Sequence, residues 1–131
     1  MKKIFTLALL VNIITVQAQN IVPNHDFEDY STLPSHYAQV GRLDLWYSPG
    51  SGTPEYLHTL GTGGGNLPNG ILSANVMPYS GDAVAAFGQQ FNSTNYREYL
   101  SVQLISPMVV GTVYDVSFYI TNGPSNHYSG Y

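Results

Sequence analysis

The chain has 131 residues with no cysteine, four Lys or Arg against eight Asp or Glu, and a formal net charge of −4. Without cysteine it can build no disulfide framework, iron–sulfur centre or thiol nucleophile; with both lysines at positions 2 and 3, only Arg42 and Arg97 offset the acids elsewhere, a balance that repels nucleic-acid phosphates and anionic membrane surfaces. Charged residues are 9% of the chain and tyrosines number 11, so the polar surface is drawn largely from Ser, Thr, Asn, Gln, Gly and Tyr, which suits neutral hydrogen-bonding partners better than ionic ones.

At the start, Lys2 and Lys3 precede an apolar run over 4–16 that ends in Val16-Gln17-Ala18. That order predicts a cleavable signal peptide over residues 1–18, with Gln19 first in the exported chain and a destination outside the cytoplasm, secreted or at the cell surface. The run is too short to cross a hydrocarbon core, which needs about 20 apolar residues. Residues 19–131 are expected to form one module. It shows no helical three-to-four-residue apolar repeat, and Pro and Gly recur throughout, so the expected class is all-β.

Strands are predicted over 20–28, near 40–46 and over 83–87, the last opened by the turn Ser80-Gly81-Asp82. Residues 47–78 read as irregular, with glycines over 61–65 forming a flexible loop and Asn69-Gly70 a turn. Over 97–105 the residues Leu100, Val102 and Leu104 alternate with polar neighbours. The strongest pattern lies over 113–121, where Tyr114, Val116, Phe118 and Ile120 share one face and Val113, Asp115, Ser117, Tyr119 and Thr121 the other. These two strands are expected to be neighbours, with Phe118 in the core. A face so apolar needs a further layer, so the domain is expected to continue past Tyr131; a complete small sandwich with short edge strands is the alternative.

The segment Asn20-Ile21-Val22-Pro23-Asn24-His25-Asp26-Phe27-Glu28 resembles the opening of carbohydrate-binding-module-like, galactose-binding-type jelly rolls, which begin Asn-Leu-x-x-Asn-Gly-x-Phe-Glu. Trp46, the Ser80-Gly81 turn and Ser106-Pro107-Met108-Val109-Val110-Gly111-Thr112-Val113-Tyr114-Asp115-Val116-Ser117-Phe118-Tyr119 agree in order. The resemblance is nearest to surface proteins of the Bacteroidetes type, in which such a module stands at the front of a longer chain with adhesion or sorting domains. It departs at His25 and lacks the closing strand with paired aspartates. What it implies is a non-catalytic β-sandwich of a kind that sometimes binds glycans and often has no known ligand. The expectation for this chain is an antiparallel jelly-roll-like sandwich that binds neutral polysaccharide or another surface partner. The alternatives are a structural or adhesive spacer and an accessory module of a glycan-degrading enzyme.

Two carboxylates two positions apart on a strand, Asp26 and Glu28, share a face and suit a hard cation, and the resemblance implies a structural calcium there; solvated carboxylates at a strand start are the other reading. For ligand binding, Tyr99, Gln103, Ser117 and Tyr119, with Arg97 at the margin, project from the two strands away from the core and offer rings and amides to a sugar, or form an ordinary solvated sheet face. Tyr47, Tyr56 and Tyr79 are further exposed candidates, whereas Trp46 is expected in the core. No enzyme is expected. His25, His36, His58 and His127 lack metal-ligand spacing, there is no Gly-x-Ser-x-Gly elbow, and no Gly-Lys-Ser/Thr follows the glycine run. Asn92-Ser93-Thr94 fits a glycosylation acceptor.

Overall fold

A computed structural model describes residues 19–68, 76–88 and 96–121. The signal peptide, Asn69-Gly70, Asn92-Ser93-Thr94 and His127 lie outside the described residues. Within them the protein is all-β: four short strands and two 3-10 turns joined by long loops, with no α-helix. The strands are β1 (Trp46–Tyr47), β2 (Glu55–His58), β3 (Ala83–Ala86) and β4 (Ser101–Val102). They form two antiparallel pairs. In one, Trp46 faces Val102 and Tyr47 faces Ser101; in the other, Glu55 to His58 run against Ala86 to Ala83.

The core gathers where these pairs meet the first loop. Val40, Leu43, Tyr56 and Ala83 are buried together, and Phe27, Tyr30, Trp46, Ala85 and Leu100 pack against them. Val40 and Leu43 reach the same side because the 3-10 turn Val40–Arg42 brings residues three apart into line. The amide of Val40 donates to the Pro54 carbonyl at 3.2 Å, tying this turn to the entry of β2. All four residues of β2 are buried, including Glu55 and His58. A strand covered on both faces has no reason to alternate, which is why the segment reads as irregular from its sequence.

The opening segment is not a strand. Asn24 and Phe27 take left-handed backbone conformations, with φ of 45° and 65°, and the Phe27 amide donates to the Asn24 carbonyl at 3.2 Å. Asn24 then replaces a strand partner with its side chain. Its Nδ2 donates to the carbonyls of Asp29 and Asp44 at 2.8 and 2.9 Å, and its Oδ1 accepts the Asp29 amide at 3.0 Å. The same substitution of side chain for ladder recurs at Glu28, whose Oε1 accepts the amides of Asp82 and Ala83 at 2.6 and 3.0 Å. Gly81 stands in this turn at φ 69°, and a Cβ there would run into that carboxylate.

The glycines over 61–65 likewise pack rather than flap: Gly63–Gly65 is a 3-10 turn, and a Cβ on Gly65 would stand 2.7 Å from Pro34. The expected pairing of 97–105 with 113–121 does not occur among the described residues, because β4 takes β1 as its partner. Residues 113–120 are free of any strand ladder. Val116, Phe118 and Ile120 are 82%, 76% and 80% exposed, so the face predicted as core lies open. The pattern is amphipathic as read, yet no described layer covers it.

Candidate ligand-binding site

Trp46 is fixed first. Its ring lies against Phe27, centroids 5.1 Å apart and tilted by 55°, and its Nε1–H donates to the Asn24 carbonyl at 2.8 Å. This satisfies the indole polar group inside the core, as expected for the only tryptophan of the chain. Alternation along β1 then turns Tyr47 outward, where it is half exposed. Just before it, Leu45 holds a φ of 71° with its side chain open to solvent. A branched apolar residue in that conformation costs about 1 kcal/mol or more, and such costs concentrate at binding sites.

Beside Leu45 and Tyr47, β4 leads into Gln103, Leu104 and Ile105, and the Ile105 amide donates to the Ile21 carbonyl at 2.9 Å. Together with Pro23 these residues line an open hollow of about 420 Å³. Its walls are apolar, with the Tyr47 ring and the Gln103 amide as polar features and no charged side chain. It can therefore take a neutral ligand with an apolar face.

Of the five residues predicted for the two-strand patch, only Gln103 lines this hollow, joined there by Tyr47, one of the further exposed candidates. Arg97 and Tyr99 are exposed but precede β4, and Ser117 and Tyr119 belong to the separate run over 113–120. They do not form the single two-strand patch that neighbouring strands would have made. Tyr119 meets Tyr79 instead, ring on ring, with centroids 3.5 Å apart and planes within 11°. The hydrogen bond that the Tyr119 hydroxyl donates to Tyr79 raises the Tyr119 phenol above its ordinary range, the loss of solvent adding in the same direction. Leu45, Leu104 and Ile105 were not singled out by sequence, since nothing in an alternation marks which apolar residues stay uncovered.

Tyr56, expected to be exposed, is fully buried. Its hydroxyl has no hydrogen-bond partner among the described residues. Burial pushes its pKa up strongly, and Tyr30 and Glu28 add to the rise. Tyr30 and His58 meet edge to face at 5.3 Å. His58 Nδ1 accepts the Leu60 amide at 3.0 Å, which leaves the neutral ring its proton on Nε2, 3.9 Å from Glu28 Oε2. The Glu28 carboxylate is thus spent on structure at one oxygen and faces an imidazole with the other.

Asp26 is exposed on the turn, and the turn removes the shared strand face expected for Asp26 and Glu28. Glu28 Oε2 and Asp26 supply only part of the six to eight oxygens that calcium takes, and no cluster of three or more metal-type side chains occurs among the described residues.

Two further acids are buried. Glu98 accepts from the Thr53 amide at 2.9 Å, the Thr53 hydroxyl at 3.2 Å and Tyr96 at 3.1 Å through one oxygen, and from the Gly88 amide at 2.6 Å through the other. Glu55 accepts the Ala38 amide. Burial raises the Glu55 pKa, the Ala38 bond opposes this, and the charge of Glu98 reinforces it. Glu55 thus pins a loop to β2, and Glu98 ties the segments just before β2 and just after β3 together.

No helix among the described residues is long and apolar enough to cross a membrane. Searches of protein-family models, curated proteins and solved structures return no match to this chain.

Proposed function

We propose that the protein is a non-catalytic extracellular binding module for neutral polysaccharide, with an overall jelly-roll architecture, exported by its N-terminal signal peptide and acting at the front of a larger surface protein. The observation that carries this reading is the charge-free hollow beside β1, with Tyr47 and Gln103 on its walls. A pyranose ring has CH-rich faces that pack on an aromatic or aliphatic wall, and hydroxyl edges that an amide can bond. Leu45, Leu104 and Ile105 serve the first need, Gln103 the second, and Tyr47 both. The residues predicted from alternation, Tyr99, Ser117 and Tyr119 with Arg97, lie outside the hollow and act at most at its approaches.

Retention on a panel of immobilised neutral polysaccharides tests this, with thermal melting to confirm that each variant is folded. Tyr47→Ala is expected to cost on the order of 2 kcal/mol, roughly thirtyfold in affinity, while Tyr99→Ala and Tyr119→Ala bind as the parent does. Equal retention by Tyr47→Ala would take the site away from the hollow. A second reading, an adhesive or structural module, is favoured by the exposed apolar side chains over 113–120, since such a face suits another protein better than a sugar. Failure of the parent to bind any glycan would select it. Calcium, implied by the resemblance, takes no part in the proposed binding step.

A further inference from the structure

Tyr79 and Tyr119 come from distant parts of the chain, one beside the Gly81 turn and one in the run over 113–120. They are 71% and 72% exposed, yet their rings are in van der Waals contact, nearly parallel, at 3.5 Å between centroids. Mutual stacking leaves only the outer ring faces for any ligand. It also places the two carbons ortho to each hydroxyl beside carbons of the opposite ring. The chain has no cysteine with which to fasten the run, and the backbone over 113–120 makes no hydrogen bond among the described residues.

We propose that Tyr79 and Tyr119 form a site of oxidative cross-linking, in which a haem-peroxidase-type oxidant with hydrogen peroxide joins the two rings as an intramolecular dityrosine. Each phenol gives up one electron to the oxidant and one proton to water. The two phenoxyl radicals combine through an ortho carbon of each ring, and each of those carbons then passes its hydrogen to its own oxygen, restoring both aromatic rings. One carbon–carbon bond is formed, two hydrogens are lost in total, and one peroxide is reduced to two waters. Prior contact of the rings makes this coupling intramolecular at high effective concentration, ahead of encounters between molecules. Exposure gives the rings room to turn out of the stack as the bond forms. The result is a covalent tie between the turn at Gly81 and the unladdered run, independent of whether the module binds glycan.

The test is limited oxidation of the dilute protein with peroxidase and hydrogen peroxide, followed by dityrosine fluorescence and peptide mapping by mass spectrometry. The expected main product is monomeric, lighter by two hydrogens, with peptides containing Tyr79 and Tyr119 joined, and with a higher melting temperature than the untreated chain. Tyr79→Phe and Tyr119→Phe, which keep the ring stack but lack one phenol, should each lose this product, while Tyr99→Phe keeps it. Predominant linkage through other tyrosines, predominant linkage between molecules, or an unchanged yield in Tyr79→Phe would each overturn the proposal.

Discussion

The Tyr56 ring is fully buried against Tyr30 and His58, while its hydroxyl carries the cost of burial without a hydrogen bond among the described residues. Ring and hydroxyl therefore pull stability in opposite directions. Tyr56→Phe is expected to leave stability unchanged or raise it by up to about 1 kcal/mol, whereas Tyr56→Ala should lose about 3–5 kcal/mol with the ring; denaturant titration of both variants checks the pair. Leu45 poses a similar division between backbone and side chain. Its φ of 71° suits glycine, so Leu45→Gly should relieve strain on the order of 1 kcal/mol yet weaken glycan retention by removing one wall of the hollow. A variant that melts lower and binds as before would show that Leu45 serves the fold alone.

Among the elements, β2 combines complete burial with a carboxylate at its first position. Burial raises the Glu55 pKa from its ordinary 4.5, so the folded state holds the Glu55 proton more tightly than the unfolded chain does. This group's contribution to stability is accordingly greatest below the ordinary carboxylate value, falls as pH rises through the window up to the raised folded value, and is level above it. Glu55→Gln, which keeps an oxygen for the Ala38 amide, should flatten that fall and be at least as stable at neutral pH; melting curves from acid to neutral pH measure it. β2 also shows where sequence patterning stops being informative. Its Glu and His hide a buried strand, just as Asn24 and Phe27 turn a strand-like opening into a loop through left-handed backbone. By contrast β3 follows the Ser80-Gly81-Asp82 turn as read, and Trp46 enters the core as read, since an indole with one donor needs only one carbonyl in reach. The alternation over 113–121 was legible as amphipathic, but alternation specifies a face and not its cover, so the exposure of Phe118 could not be read from it. For the site, Gln103 was legible as an outward polar group. Leu45 and Ile105 were not, because their role depends on which loops meet beside them.

Across the whole molecule, ladders are short and side-chain acceptors are many. Asn24, Glu28 and Glu98 bind the amides of Asp29, Asp82, Ala83, Thr53 and Gly88, and so connect segments that no strand pairing joins. The cooperative unit of unfolding should therefore extend into the loops. Hydrogen–deuterium exchange offers a direct view: these five amides are expected to exchange as slowly as those of β2 and β3, through opening of the whole module, while the amides over 113–120 exchange rapidly. Fast exchange at Asp82 and Ala83 alone would show that the Glu28 clamp opens locally. If the clamp holds, Glu28→Gln should speed exchange in the opening loop and at the start of β3 at once, because a single carboxylate fastens the one to the other. Loops of this kind, ordinarily the first places a protease finds, would then be cut no faster than the strands they join.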